Sequence, residues 1–357
     1  NTRDQRRDYA IFTPTQVLTP VSISPIACQD LHGMEAPDMV IVCHSRFANH
    51  AQRLAQLHNL VDGLEVMTVT QEQVFNEFSG GKQDPVAVRE MMRMFHHREN
   101  SRTRYLLLFG KGTYDNKDIL GNHLPTVVTY QSETGYTDNS SASASDDCFG
   151  YLDDSEAGVS RSQGGIDLGI GRLPAKNEAE ADLLVNKIER YMMRTDMDME
   201  GIRGDWRTYV ALLSDDADPS QTADVNFAIS SESLANRIEE TAPWLNLDKI
   251  YADAYPQQSG TIGSYYPDVN NALKQRMDYG CLLLNYIGHG SDQYIGTERY
   301  MELSDIGNYK NTDRLAFFVT STCSFGKYDR LEGDCGSEAF VLAQGAGVGC
   351  VSAARPI

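Results

Sequence analysis

Short apolar runs alternate with segments of helical periodicity along this chain, a pattern that predicts a mostly parallel sheet covered by helices. After an irregular lead containing prolines, MVIVCH (Met39 to His44) reads as a strand buried on both faces. A helix is expected over Ala48 to Leu60, a strand over Leu64 to Thr70, a helix over Pro85 to His97 and a strong strand at Arg104 to Gly110. Two shorter strands, CFGYL and IDLGIGRL, are expected next, followed by a long amphipathic helix from Glu178 to Arg194. The charged stretch RTDMDMEGIRGDW (Arg194 to Trp206) then separates two halves. The pattern restarts with a strand at Arg207 to Ser214, a helix at Asn226 to Glu240, a short strand at Asp248 and a helix at Tyr266 to Tyr279. The strands CLLLNYIG, LAFFVTST and GVGCVSAA complete a second sheet, and GSEAFVLAQG reads as a helix.

Composition narrows the classes. The chain has 357 residues, 41% of them hydrophobic, so it can bury a sizeable core. A formal charge of −19 without a basic cluster argues against nucleic acid as a partner. No apolar run is long enough to span a membrane. Both ends read like the interior of a longer chain, so missing targeting signals carry little weight. The seven cysteines are scattered without a C-x-x-C, which points to at least one free thiol and not to a disulfide framework.

Two apolar strands each release a reactive residue just past their C-terminal ends: CLLLNYI gives His289 and LAFFVTS gives Cys323. The 27 residues from Gly288 to Arg314 suffice for a crossover between neighbouring parallel strands. Since sites in open α/β sheets form at carboxyl strand ends, the two side chains are expected at one rim. There an imidazole would stabilise a thiolate and protonate a leaving amine. Gly288 would let the chain turn, and the N–H groups of Gly290 and Cys323 would form an oxyanion hole. From spacing alone, a turn-capping His289 and a buried core Cys323 fit equally well. Cys335, at the start of a predicted helix, is the rival nucleophile, because a helix N-terminus lowers a thiol pKa.

The run NYIGHGSDQYIG followed by FFVTSTCSFGKYD resembles the catalytic core of the gingipain family of cysteine peptidases (family C25), relatives of the caspases. LLLFGKGTYDNKD, IDLGIGRLPAKNEAEADLLVNKIERY and GDWRTYVALLSDDADPS extend the resemblance over roughly residues 38 to 355. It implies a caspase/gingipain-like α/β fold of two adjacent subdomains, each with a mostly parallel sheet flanked by helices. The implied division is a lead over 1–37, subdomain A over 38–200 and a catalytic subdomain B over 201–357, truncated at its C-terminal side. It also implies a Cys323–His289 dyad backed by an acid, for which Asp216 in SDDADPS is the matching position, with Asp where gingipains have Glu. Asp215, Asp216 and Asp218 read equally as a solvated loop. An acid selecting basic substrate residues has no confident counterpart: only Asp224 and Glu232 are near, and both align poorly.

The segment SASASDDCFGYLDDSE (Ser141 to Glu156) resembles the branch of the family that serves as the sortase of the type IX secretion system. That branch implies an enzyme at the cell surface, associated with the outer membrane of a Gram-negative bacterium. It would cleave C-terminal sorting domains from secreted cargo and join the cargo to an amine of anionic lipopolysaccharide. Its implied partners are cargo proteins and outer-membrane attachment-complex proteins (PorV-like, PorQ/PorZ-like). A secreted gingipain-like endopeptidase and a catalytically silent binding module are the rival readings. The chemistry requires no cofactor and no metal. The carboxylates Asp146, Asp147, Asp153, Asp154 and Glu156 are of the ligand type a structural calcium takes, though without EF-hand spacing. GKGT at Gly110 lacks the spacing of a phosphate loop, and His96 and His97 point apart on their helix.

Overall fold

The computed structural model describes residues 10–13, 15, 17–20, 22–132, 144–156, 165–193, 204–217, 226–260 and 263–357. The charged boundary stretch over 194–203, the positions of Asp218 and Asp224, and Ser141 to Ser143 lie outside the described residues.

The first sheet is built around β1 (Met39–Cys43), every residue of which is buried. It pairs in parallel with β2 (Val66–Thr70) on one side and β3 (Tyr105–Phe109) on the other, and β4 (Gly169–Leu173) extends the sheet beyond β3. Because side chains alternate along a strand, β1 serves two cores at once. Val40 and Val42 pack with residues of α2 (Gln71–Phe78) and α3 (Pro85–His96). Met39, Ile41 and Cys43 pack with α1 (Ala48–Asp62) and α4 (Glu178–Met192).

The helix α2 was not expected from apolar periodicity, being short. Its start is nonetheless encoded, because Thr70 and Gln73 form a reciprocal capping box. CFGYL is not a strand. Asp146–Gly150 forms a 3₁₀ turn that Ser145 caps by accepting the Asp147 N–H at 3.2 Å. Phe149 and Leu152 are fully buried, so the apolar spacing reflects an inward-facing loop.

The second sheet has the order β13–β12–β9–β5–β6 and is parallel throughout. Its strands are β5 (Tyr209–Ser214), β6 (Asn246–Tyr251), β9 (Leu283–Ile287), β12 (Ala316–Ser321) and β13 (Gly347–Ser352). One face carries α5 (Asn226–Thr241), whose Ala235 packs on Val210 and Leu212. The other carries α6 (Pro267–Tyr279), whose Val269, Leu273 and Met277 share a core with Leu284, Tyr286 and Phe318. Two small hairpins, β7–β8 (Gln258–Gly260, Gly263–Tyr265) and β10–β11 (Tyr294–Ile295, Met301–Glu302), decorate the carboxyl edge. A one-turn helix, α7 (Leu303–Ile306), follows, and α8 (Gly336–Leu342) leads to β13.

Two buried lysines join the halves. Lys111, just past β3, donates to the Glu338 carboxylate in α8 and to the Tyr328 carbonyl (3.3 Å). Lys187 in α4 donates to the carbonyls of Ala343 (2.6 Å), Val341 (2.8 Å) and Gly347 (2.8 Å), closing the C-terminal end of α8. Burial alone pushes the Lys187 amine down to about 7, and these carbonyls oppose it by satisfying the charged form. The GKGT lysine is thus a structural bolt. All seven cysteines are free thiols. Among the described residues no helix is long and apolar enough to cross a membrane.

Candidate active site

Three neighbouring strands of the second sheet, β5, β9 and β12, deliver the candidate residues at their carboxyl ends. Ile287 on β9 is level with Ser214 on β5 and with Ser321 on β12. Asp215 therefore follows one strand end directly, and His289 and Cys323 each stand two residues past theirs. The ladder continues beyond the strands: Asp215 N–H donates to the Ile287 carbonyl (3.0 Å) and Gly288 N–H to the Ser321 carbonyl (3.3 Å). The sequence expectation of two reactive side chains at one rim describes this arrangement.

The glycines around His289 are required by crowding. A Cβ on Gly288 would lie 2.4 Å from Asp215 Cβ and 2.4 Å from the Tyr286 hydroxyl. A Cβ on Gly290 would lie 2.5 Å from Thr322 Oγ1, next to the cysteine. Gly290 bridges Ile295 through bonds made by its neighbours, Ser291 N–H to Tyr294 O (2.9 Å) and Gly296 N–H to His289 O (2.8 Å). Its own N–H stays out of that bridge.

Asp215 holds the histidine by its backbone. It is 1% exposed, and its Oδ2 accepts the His289 N–H at 2.8 Å. The Tyr286 hydroxyl lies within hydrogen-bond distance of the same oxygen (3.1 Å) and of the His289 carbonyl (2.8 Å). Burial pushes the Asp215 carboxyl up, while the hydroxyls and the His289 amide pull it back. The His289 ring meets Phe227 of α5 edge-on, with centroids 5.3 Å apart. Asp216, the expected backing acid, accepts hydrogen bonds from the Tyr266 hydroxyl (2.9 Å) and, more weakly, from Tyr300 (3.4 Å) and Gln257 (3.4 Å).

Glu298, which no sequence motif marks, places its carboxyl within 4.8 Å of those of Asp215 and Asp216. Burial, then the charges of Asp216 and Asp215, push Glu298 up to about 7. An acid raised in the folded state stabilises fully below its unfolded value, about 4.5, and loses that contribution as pH rises through about 7. Glu298→Gln should therefore become more stable relative to the wild type by about 1 kcal/mol between about pH 5 and about pH 8, a figure discounted for partial exposure. Denaturant titrations of both proteins at the two pH values check this; equal pH slopes would contradict it.

Cys323 is half-buried and leads into a tight turn, with Ser324 in the left-handed region (φ 59°). Such a conformation costs a serine about 1–2 kcal/mol and needs support. Ser324 N–H donates to the Arg355 carbonyl (3.3 Å), Gly326 N–H to that of Ala353 (2.9 Å), and Arg355 pairs with the buried Asp329 (2.6 Å). The Ile357 N–H points at the Cys323 sulfur (3.5 Å). Cys335, the rival, is fully buried, and desolvation pushes its thiol up to about 12, outweighing any lowering by the helix end.

The acidic run at 146–156 has other duties. Asp146 holds the Arg172 guanidinium with both oxygens (2.8 Å each) and accepts the Tyr328 hydroxyl (3.0 Å). Asp154 pairs with Arg93, and Glu156 accepts the Asp153 N–H (3.1 Å). Glu232 accepts hydrogen bonds from Lys249 and Tyr251 of β6 (3.0 Å each).

One parallel sheet thus carries a histidine and a cysteine two residues past the level ends of two neighbouring strands. The chain belongs to peptidase family C25, whose sequence profile matches residues 32–357. The complex of the pro- and mature domains of RgpB from Porphyromonas gingivalis shares its fold, with a TM-score of 0.64 at 16% identity, covering 89% of this chain and 64% of that one. The Arg-specific cysteine proteinase gingipain R (RgpB) gives 0.64 at 15%, covering 92% and 65%. Dimeric latent PorU from P. gingivalis is 33% identical over 53% of this chain and 18% of its own, with a TM-score of 0.45. The chain thus spans less than two thirds of each of these structures. No curated protein sequence matches it.

Proposed function

We propose that the chain is the catalytic part of a C25 peptidase in which Cys323 is the nucleophile and His289 its acid–base partner, acting as the sortase of type IX secretion. The observation that carries the dyad is the hydrogen-bonded pairing of β9 with β12, which sets the two residues beyond level strand ends. The Cys323 thiolate adds to the scissile carbonyl carbon, and the N–H groups of Gly290 and Cys323 hold the oxyanion. The C–N bond breaks as His289 gives its proton to the departing amine. A thioester remains on Cys323. Water or an amine then attacks it, His289 takes the attacking group's proton, and the thiolate leaves. Transfer outruns hydrolysis where the site docks an amine and excludes water.

Support for the sortase role comes from the resemblance of the 141–156 segment. Its Asp146 clamps Tyr328, in the loop that follows Cys323, and so links that segment to the site. The reading carries with it a location at the outer-membrane surface, with sorting-domain cargo, attachment-complex proteins and an anionic lipopolysaccharide amine as partners.

Full-length protein incubated with cargo and quenched in acid is expected to carry truncated cargo as a hydroxylamine-sensitive thioester on Cys323, read by intact mass spectrometry. Unprocessed cargo with no adduct, or equal processing by Cys323→Ser, would sink the proposal. Cleavage at many unrelated peptide sequences would favour a general endopeptidase.

A further inference from the structure

A cleft of about 410 Å³ lies between the halves, lined by Tyr114, Leu120, Asp292, Lys327, Arg330 and Leu331. Its walls belong to the loops that carry the candidate dyad. Asp292 is three residues past His289, and Lys327 is four past Cys323, closing the turn in which its N–H donates to the Ser324 carbonyl (3.0 Å). The opposite wall comes from the first half and is well fixed. Asp115 accepts the N–H groups of Ile119 (3.0 Å) and Leu120 (2.8 Å), and Tyr114 N–H donates to the Asp329 carbonyl (2.9 Å).

The charges in this cleft are unevenly spent. Asp292 is neutralised by Arg330 through one guanidinium nitrogen (Nη1, 2.9 Å), and no other hydrogen bond of that guanidinium is found among the described residues. Lys327 has no ion-pair partner among the described residues, in a chain of formal charge −19. Glu332, also on the wall, is exposed and forms no ion pair with either cation. Tyr114 and Leu120 are exposed large apolar side chains at the same place. The cleft therefore offers unused N–H donors of positive charge beside apolar surface, where a carboxylate gains more than it would in open water.

We propose that this cleft is a subsite for an acidic side chain of the substrate near the scissile bond, with Lys327 as the residue that selects it. The inference rests on the reading of Cys323 as nucleophile. It gives the first half a part in choosing the substrate.

The test uses full-length protein and quenched fluorescent peptides carrying Glu, Gln or Lys at each position on either side of the cut. The wild type should prefer Glu to Lys at one position by about tenfold or more in kcat/KM, as expected for a favourable against a repulsive charge contact. Lys327→Glu should reverse the preference at that position, and Lys327→Met should erase it, both with an unchanged melting temperature. An absent preference, or one that both variants retain, overturns the subsite while leaving the peptidase reading intact. If the wild type cuts no peptide, the peptidase reading fails and the subsite falls with it.

Discussion

Lys111→Met is expected to lower the unfolding free energy by about 3–5 kcal/mol, the cost of leaving one member of a buried ion pair alone. Lys111 and Glu338 have side chains only 1% and 2% exposed, so water cannot replace the missing partner. Burial already pushes the Glu338 carboxyl up, and Lys111 is the main influence opposing it. Glu338 has a second duty, since its other oxygen accepts the Cys335 N–H (3.1 Å) at the start of α8. Loss of the lysine thus loosens the helix start as well as the contact between the halves. The double variant Lys111→Met/Glu338→Leu should recover most of the loss, because a buried pair exchanged for apolar groups is often neutral. Guanidinium titrations of the wild type, both single variants and the double variant provide the check. A loss below about 1 kcal/mol in Lys111→Met would mean that the pair does not bind the halves together.

The two sheets were legible because their central strands are rich in consecutive apolar residues. MVIVC, YLLLF and LLNYI are nearly continuous apolar runs, and such runs need no partner to be recognised. The rim position of His289 and Cys323 followed from connection length and the strand-end rule. CFGYL misled because Phe149 and Leu152 are buried from a loop, and an apolar residue does not announce whether a strand or a turn carries it. The acids were the least legible part of the site. Asp215 and Asp216 are adjacent in sequence, yet one turns to the His289 backbone and the other to Tyr266. That choice is made by Tyr286, Tyr266 and Tyr300, which come from three separate segments. Glu298 joins them from the loop between β10 and β11. No local pattern marks such a convergence. The cleft beside Lys327 was hidden for the same reason, since its two walls are far apart in sequence.

Gly288→Ala is expected to reduce kcat by about a hundredfold or more, approaching the loss in Cys323→Ala, at a stability cost of about 1–3 kcal/mol. The reason is space and not backbone freedom. The added methyl would stand 2.4 Å from both Asp215 Cβ and the Tyr286 hydroxyl, far inside contact distance. Asp215 and Tyr286 are both buried, so relief must come from the loop. Moving the loop breaks the Asp215–His289 N–H bond (2.8 Å) and the Tyr286–His289 carbonyl contact (2.8 Å), which fix the peptide carrying the imidazole. A displacement of about an ångström is enough to spoil proton transfer to a leaving amine. The change should therefore fall chiefly on kcat, since this peptide carries the proposed acid–base group. Asp215→Asn preserves the acceptor oxygen for the His289 amide and should lose far less, which separates loss of position from loss of charge. Steady-state kinetics on the peptide best cut by the wild type, with thermal melts alongside, make the comparison. A Gly288→Ala enzyme within threefold of wild-type kcat would show that the loop accommodates the methyl, and that the Asp215 grip does not set His289.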